Sequence, residues 1–341
     1  MKTISFIIPA YNSAAFLEKC LDSMLQKPLL DKLEVLVVND GSTDATPQLA
    51  QSYCERFPGT VRLLSQPNKG HGGALNTGCA AAAGKYLKVI DADDWVNTES
   101  LPDFLAALEH CESDVVLTHY RTHNITTGEV LHWRCFPPQF GKSYTFGDIM
   151  QSWRSYDRCL TFHGITYRTD FYKAHAKALP EHVFYEDHAF ATFPCCYAAQ
   201  VQPLDLFVYE YRIGDVSQSV SAQNQLKRLG HTEAVLRHML AEYLTVPACP
   251  GKDYAAQKLE GLLLSYLTTA LLVEPDKRKG RTQARQLLQL FRTEAPAVRA
   301  LAKPKATVFL AMNRLHLGRG VWDAVLHSRL YNTLRGNHDF A

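Results

Sequence analysis

The sequence lacks the features of several common protein classes. Its nine cysteines are scattered, odd in number and without a C-x-x-C pair, which argues against a disulfide scaffold and fits a reducing cytosol. No uninterrupted apolar run reaches the roughly 20 residues of a membrane-spanning helix. The apolar stretch Ile4–Ile8 stops at Pro9, too early for a signal peptide. With 46% hydrophobic residues, the chain is also too apolar for a disordered protein. We therefore expect a soluble, cytoplasmic protein.

The first 120 residues alternate between strand-like and helix-like segments. Leu33–Val38 is rich in β-branched residues, as buried strands are, whereas Ala14–Gln26 carries apolar residues at helical spacing. The same alternation continues through strand candidates at 61–65, 86–90 and 115–119 and helix candidates at 44–57, 73–83 and 101–110. The pattern predicts an α/β fold with a Rossmann-like, mostly parallel sheet and flanking helices. In such folds, ligands bind beyond the carboxyl ends of the strands.

The rest of the chain differs in pattern and in charge. After Gln223 nearly every segment has a helical pattern, so we expect a catalytic domain over residues 1–222 and a helical accessory region over 223–341. From Pro275 onward there are thirteen Lys and Arg against four Asp and Glu, a net charge of +9, which leaves −7 for the residues before it. Such asymmetry indicates two regions with different partners.

The basic region has three interpretations. It is a solvated helical face, an interfacial helix at an anionic membrane, or a nucleic-acid contact. Arg314–Arg335 alternates basic and apolar residues, as interfacial helices do, although two glycines interrupt it. No nucleic-acid-binding motif accompanies the charge. We expect no nucleic-acid partner and leave open a peripheral contact with the inner face of the cell membrane.

Three predicted strands end in polar motifs. The motifs are Pro9-Ala10-Tyr11-Asn12, Asn39-Asp40-Gly41-Ser42-Thr43-Asp44 and Asp91-Ala92-Asp93-Asp94. By the strand-end rule they line one crevice. Carboxylates that share a crevice repel each other unless a cation compensates them. Hard oxygen ligands from one or two carboxylates suit Mg²⁺ or Mn²⁺ shared with a phosphate, so the sequence predicts one of these ions.

This combination resembles the family 2 glycosyltransferases with the GT-A fold. The resemblance extends from about Ile4 to Ser221, and its motifs occur in the family's order. They are the three strand-end motifs, Asn68-Lys69-Gly70 with Asn76-Thr77-Gly78, Tyr185-Glu186-Asp187, and Tyr211-Arg212 before a serine cluster at 217, 219 and 221. It implies an inverting, metal-dependent enzyme that moves a sugar from a nucleotide-sugar, with UDP favoured, to a hydroxyl of a glycan or lipid-linked saccharide. Synthesis of a bacterial surface polysaccharide is the implied setting.

The resemblance also implies a donor site. Pro9, Ala10, Tyr11 and Asn12 would pack against base and ribose, and Asp40 would accept a hydrogen bond from uracil N3–H. Lys69, Gly73 and Asn76 would form a lip beside the base, although Leu75 stands where many family members have Arg. The structural alternatives are a helix entry at residues 9–12, a turn cap at Asp40 and a flexible glycine loop. Asp44 is interpreted as a helix cap.

The remaining implied roles concern charge and chemistry. Within the D-x-D motif Asp91-Ala92-Asp93, the resemblance gives the ribose contact to Asp91 and the metal to Asp93, and Asp94 is taken as structural. Asp187 would be the general base, Glu186 would position its segment, and Arg212 would contact the diphosphate. The structural alternatives are solvated turn acids for the D-x-D motif, helix-terminal acids for Glu186 and Asp187, and a polar surface loop for Arg212.

Other residues and classes complete the hypotheses. His71, His163 and His188 have no metal-ligand spacing and are interpreted as loop or packing residues. A sugar nucleotidyltransferase would need a Gly-rich loop after the first strand, where this chain has Pro-Ala-Tyr-Asn. A dehydrogenase would need G-x-G-x-x-G there. A nucleotide- or glycan-binding module without catalysis is the alternative from another class.

Overall fold

The computed structural model describes residues 1–214 and 222–326. The chain divides into two compact units. The first consists of Met1–Gln218 and Thr245–Ala255, and the second of Ser219–Leu244 and Ala256–Ala341. The first unit therefore also includes Thr245–Ala255, a short stretch from the C-terminal helical part of the sequence.

Ten strands within the described residues form one sheet. They are β1 (Ile4–Ala10), β2 (Leu33–Asp40), β3 (Val61–Gln66), β4 (Tyr86–Val89), β5 (Trp95–Val96), β6 (Val115–Asn124), β7 (Val130–Trp133), β8 (Tyr144–Thr145), β9 (Ile165–Arg168) and β10 (Gln200–Ile213). Their order is β3-β2-β1-β4-β9-β6-β10-β5, with β7 beside β6 and β8 beside β10. Every residue of β1 and β2 is buried, which explains their largely apolar sequences, and the buried Glu34 of β2 pairs with Ser5 and Arg62.

The strand register brings the polar motifs to one edge. β1 runs parallel to β2 and β4, and β2 runs parallel to β3. Ala10 lies opposite Asn39, and Asp40 lies opposite Gln66. Because β4 ends just before Asp91, the three strand-end motifs lie at the same carboxyl edge, as the strand-end rule predicts.

Seven helices connect the strands of the first unit as far as it is described. They are α1 (Ala14–Asp22), α2 (Thr46–Arg56), α3 (Gly70–Ala81), α4 (Leu101–His110), α5 (Phe146–Gln151), α6 (Thr169–His175) and α7 (Asp187–Thr192), with 3₁₀ turns at Lys27–Lys32, Trp153–Ser155 and Pro194–Tyr197. The described C-terminal part is helical. It comprises α8 (Ala222–Lys227), α9 (Leu229–Thr245), α10 (Pro250–Thr268) continuing as a π-turn at Thr269–Val273, α11 (Lys277–Glu294), α12 (Pro296–Arg314) and α13 (Arg319–Leu326).

The second unit has an apolar core of its own. Leu287 and Phe291 of α11 and Ala306 and Phe309 of α12 are all buried. Among the helices that the structure describes, none is both long enough and apolar enough to span a bilayer.

The α/β fold with a C-terminal helical region is confirmed, with two differences in detail. β9 is an antiparallel strand between β4 and β6, and the sequence pattern does not predict it. The sequence pattern predicts one helix over residues 187–198, but the structure has α7 and a 3₁₀ turn there, since Pro194 has no N–H for the helical ladder. The pattern also predicts a helix over residues 321–334, of which the structure describes the part up to Leu326; residues 327–334 lie outside the described residues.

Candidate active site

A pocket of about 360 Å³ opens at the carboxyl edge of β1 and β2. It is lined by Pro9, Ala10, Tyr11, Asp40, Asn68, Gly70, His71, Ala74, His182, Val183 and Phe184. Four of the predicted donor-site residues, Pro9, Ala10, Tyr11 and Asp40, are therefore brought together in one wall. The side chains of Tyr11 and Phe184 remain exposed, so the pocket offers aromatic surface to a ligand.

Asp40 is a buried carboxylate held by the loop after β3. Its Oδ1 accepts hydrogen bonds from Gln66 Nε2 at 2.7 Å and from the backbone N–H of Lys69 at 2.9 Å. Its Oδ2 forms no hydrogen bond to any residue in the described part of the chain. The contacts fix the carboxylate in place and leave one oxygen as an acceptor in the pocket wall.

Asn12 connects two turns and does not line the pocket. Its backbone is left-handed, with φ of 50°. Its Oδ1 accepts the N–H of Thr43 at 2.8 Å, and its own N–H donates to Ser42 Oγ at 3.1 Å. Asp44 accepts from the N–H groups of Ala14 and Thr46, so it caps the starts of both α1 and α2, and the capping prediction is confirmed.

The three predicted lip residues do not line the pocket but support the loops around it: Lys69, Gly73 and Asn76. The carbonyl of Lys69 accepts the N–H of His182 at 2.9 Å, and a Cβ on Gly73 would lie 2.3 Å from Lys69 Cβ. Asn76 pairs with the backbone of Leu179 through both of its amide atoms, at 3.0 and 2.8 Å. Leu75 is fully buried, so it provides no contact in the place of the family's Arg.

His71 joins the pocket to the acidic motif. Its Nδ1 lies 2.6 Å from Glu186 Oε1 and its Nε2 lies 2.9 Å from Asp91 Oδ1. Burial alone would lower the pKa of His71, but Asp91 and Glu186 raise it well above the usual value. Burial would raise the pKa of Asp91, and the charge of His71 outweighs it and lowers that pKa. The interpretation of His71 as a loop or packing residue is therefore wrong.

The three aspartates after β4 have different surroundings. Asp94 is buried and accepts hydrogen bonds from Tyr209 Oη and the N–H of Arg212, which fits its structural interpretation. Asp93 is half-buried and forms no hydrogen bond to another described residue. Burial, and then the charge of Asp91, raises the pKa of Asp93 to about 6. Ala92, which lies between Asp91 and Asp93, is buried.

An aromatic pair lies among these acids. The rings of His163 and Tyr211 stack with centroids 4.3 Å apart. Burial raises the pKa of Tyr211, and the charges of Asp94, Asp91, Asp187 and Asp93 raise it further. Burial also lowers the pKa of His163 to about 4, so this imidazole is neutral at pH 7.

Asp187 is the first residue of α7, two positions after a strained residue. Tyr185 has φ of 76°, a left-handed conformation that non-glycine residues seldom adopt. Strain of this kind persists where surrounding contacts impose it. Here the buried Glu186, held by His71, provides such a contact. The charge of Asp187, like that of Asp91, acts on His163 and Tyr211.

Arg212 lies on the other side of Asp94. Its guanidinium is 4.7 Å from the ring centroid of Phe16, and its charge counteracts the rise in the pKa of Asp93. Ser217, Ser219 and Ser221 lie outside the described residues.

A buried lysine holds the segment that carries His163. Lys88 Nζ donates to the carbonyls of His163 and Ile165 at 2.7 and 3.1 Å. Burial lowers the pKa of Lys88 to about 7.

A mixed α/β sheet, a pocket at the ends of its first strands and a D-x-D motif after β4 together define the GT-A class of fold. The family described as Glycosyl transferase family 2 matches residues 5–176 of this sequence. The chain therefore belongs to glycosyl transferase family 2.

Individual relatives match only part of the chain. The chain is 28% identical to EpsH of Bacillus subtilis over 228 residues, which is 62% of this chain and 60% of EpsH. It is 31% identical to the glycosyltransferase GlyA of Streptococcus pneumoniae over 125 residues, which is 37% of this chain and 18% of GlyA. In both cases the match spans less than two thirds of the relative.

The fold is similar to that of S. aureus TarS 1-349 in complex with UDP-GlcNAc. The TM-score is 0.65 at 23% sequence identity, covering 93% of this chain and 88% of that one. The likeness extends over nearly the whole chain and concerns the fold.

Proposed function

We propose that the protein is an inverting, metal-dependent glycosyltransferase that moves a sugar from a UDP-sugar to a hydroxyl of a glycan or lipid-linked saccharide. One observation carries the proposal. His71 lines the pocket and contacts Asp91 of the D-x-D motif at 2.9 Å and Glu186, the residue before Asp187, at 2.6 Å. These contacts support one crevice shared by the pocket, the D-x-D acids and Asp187. The proposed catalytic domain is residues 1–222, with 223–341 as an accessory region.

The pocket suits a uracil base. Tyr11 supplies aromatic surface, and the unpaired Oδ2 of Asp40 is an acceptor for an N–H donor. Uracil presents N3–H as its ring donor on that edge, whereas a carboxylate acceptor facing an adenine ring nitrogen would be repelled. The bound UDP-GlcNAc of TarS, which shares the fold, supports this assignment.

Asp93 is the proposed ligand of Mn²⁺ or Mg²⁺. It is a half-buried carboxylate with no hydrogen-bond donor from another described residue, and burial together with the charge of Asp91 raises its pKa, so the donor set fits a hard cation. When bound, such an ion supplies Lewis acidity for the leaving diphosphate. Arg212, near Asp93, adds a guanidinium that suits bidentate contact with phosphate oxygens.

Asp187 is the proposed general base. It removes the proton of the acceptor hydroxyl, which attacks the anomeric carbon from the face opposite UDP and inverts its configuration. The charge of Asp187 acts on His163 and Tyr211, which are both neutral at pH 7 and do not compensate it. Glu186, fixed by His71, keeps the start of α7 in position.

Calorimetric titration tests the donor assignment. UDP and GDP are titrated into the purified chain with Mn²⁺ and again with EDTA, using Asp93→Ala and the exposed Glu99→Ala as the matched control. We expect metal-dependent UDP binding that Asp93→Ala abolishes and Glu99→Ala retains. Binding of GDP without UDP would overturn the assignment of uracil as the base at Asp40, since guanine N1–H also donates to a carboxylate. Absence of any nucleotide binding would overturn the transferase proposal.

Turnover tests the base. UDP release from the best UDP-sugar is measured for Asp187→Asn and for Asp170→Asn, which removes an exposed acid from the first turn of α6. We expect Asp187→Asn to lower turnover by about 10²- to 10⁴-fold with intact UDP binding. Asp170→Asn should match the wild type. Full turnover in Asp187→Asn would rule out this residue as the base.

A further inference from the structure

A second cluster of metal-ligating side chains lies away from the donor pocket. His119 Nδ1 is 4.0 Å from Cys135 Sγ and 3.9 Å from Cys159 Sγ, and all three ligand atoms lie within 4.8 Å of one another. The three residues are fully buried. Across a tetrahedral zinc site, sulfur and nitrogen ligands lie about 3.6 Å apart, so a contraction of a few tenths of an ångström would complete the geometry.

The ring of His119 is already oriented for ligation. Its Nε2 lies 3.0 Å from Asp205 Oδ1, and its Nδ1 faces the backbone N–H of Cys135 at 3.4 Å. The N–H of Cys135 donates to Nδ1 and the carboxylate of Asp205 accepts from Nε2, which fixes the tautomer with the proton on Nε2 and leaves the Nδ1 lone pair on the side of the two thiols. A carboxylate behind a ligating histidine is the usual outer-shell partner in zinc sites.

We propose that His119, Cys135 and Cys159 form a buried zinc site, separate from the cation held at Asp93. Two thiols lose their protons to solvent as Zn²⁺ binds, so two thiolates, a neutral imidazole and the ion sum to zero charge. A neutral sum suits a fully buried position. The carbonyl of Trp133, 3.9 Å from Cys159 Sγ, or a water molecule takes the fourth position.

The site links three segments that are distant in sequence. His119 belongs to β6, Cys135 follows β7, and Cys159 precedes the segment that carries His163. Tyr120, next to His119, stacks on His163 with centroids 5.1 Å apart. The zinc would therefore hold the segment that carries His163 close to β6. Its role there is structural.

Metal content of the purified full chain, prepared without an affinity tag, tests the proposal. We expect about one zinc per chain, released together with two additional reactive thiols when a strong chelator is added. Cys135→Ser and Cys159→Ser should each lose the zinc. Cys79→Ser, which changes a buried thiol elsewhere, and Asp93→Ala should both retain it.

Asp205→Asn keeps the test decisive should the cysteine variants fail to fold. Its side chain is 58% exposed, so the substitution leaves the core intact while weakening the support of His119. We expect its zinc affinity, measured by competition with a chromophoric chelator, to fall about 10- to 100-fold. An intense thiolate-to-metal absorption after substitution with Co²⁺ should appear in the wild type.

Three results would overturn the proposal. One is a metal-free chain whose thiol reactivity does not change with added Zn²⁺. Another is a mass two hydrogens lower, mapped to a Cys135–Cys159 disulfide. The third is an unchanged zinc affinity in Asp205→Asn. Each of these outcomes is independent of nucleotide binding, so it would leave the transferase proposal standing.

Discussion

His71 separates two carboxylates that would otherwise repel each other. Glu186 is almost fully buried, whereas the side chains of His71 and Asp91 are about one third exposed. The imidazolium thus keeps Glu186, next to the proposed base Asp187, and an acid of the D-x-D motif in fixed positions. Its loss would affect both the stability of the chain and the shape of the crevice.

We predict that His71→Gln lowers the free energy of unfolding by about 2 kcal/mol. Breaking a fully buried pair costs about 3–5 kcal/mol, and the partial exposure of His71 reduces that value. Chemical denaturation measures the difference, with the exposed His110→Gln as the control. A His71→Gln variant as stable as the wild type would show that the two contacts contribute nothing.

The effect of His71 should depend on pH. Its pKa is raised in the folded chain, so its contribution is complete below the usual value of 6.5 and is lost as the pH rises through the folded value. The pKa of Asp91 is lowered, so its contribution is present above 3.8 and is lost as the pH falls through the folded value. The stability difference between wild type and His71→Gln should therefore be largest between pH 4 and 6.5 and should shrink in alkali.

Single residues also show the limit of sequence reasoning. The motifs placed Pro9, Ala10, Tyr11 and Asp40 at one site, because each follows a recognisable strand. They gave no sign of His71, whose partners are 20 and 115 residues away. Nor did any spacing rule indicate the cluster at His119, because its cysteines lie 16 and 40 residues further along the chain.

At the scale of elements, the turn after β2 shapes the pocket wall. Gly41 has φ of +74°, and a Cβ there would lie 2.8 Å from the backbone N of Asn68. Asn68 donates to the carbonyl of Asp40, and the next residue's N–H donates to the Asp40 carboxylate. A side chain on Gly41 would therefore displace the loop that holds Asp40.

Gly59 offers a control with the same backbone strain. Its φ is +79°, and a Cβ there meets nothing within 4 Å. We predict that Gly41→Ala and Gly59→Ala each lower stability by about 1 kcal/mol or more, the cost of a left-handed alanine. Only Gly41→Ala should also weaken UDP binding in calorimetry. Equal UDP affinities in the two variants would argue against the role of this turn.

The strands and helices were predictable where apolar residues follow one clear pattern along the chain. Buried β1 and β2 appear as largely apolar runs, and α4 has the bounds that its pattern predicts. β9 was missed because a strand of four residues carries too little pattern, and its place between β4 and β6 depends on long-range pairing. Two-residue strands such as β5 depend equally on their partners.

At the scale of the whole molecule, charge is concentrated toward the C-terminus. On α11, Arg285 and Arg292 are exposed, in a region whose net charge is +9. Anionic lipid attracts each such residue by about 1 kcal/mol near the surface. Attachment to the membrane would bring the enzyme to a lipid-linked acceptor.

We predict that the chain binds vesicles of anionic lipid and that the binding weakens as salt is raised. The double variant Arg285→Gln/Arg292→Gln should bind roughly 30-fold more weakly, since two such contacts amount to about 2 kcal/mol. Vesicle sedimentation measures the change, with the exposed pair Lys27→Gln/Lys142→Gln as the control. Equal binding of both double variants would rule out this surface.

The stretch from Leu179 to Asp187 borders both partners of the proposed reaction. Val183 and Phe184 line the pocket, and Asp187 is the proposed base. Asn76 and His71 fix the two ends of the stretch. In the proposed reaction, a nucleotide that restrains its middle would reduce the entropy that the acceptor must remove, so we expect donor and acceptor to bind with positive cooperativity. Thermodynamic reciprocity makes the two enhancement factors equal, so each substrate tightens the other to the same degree.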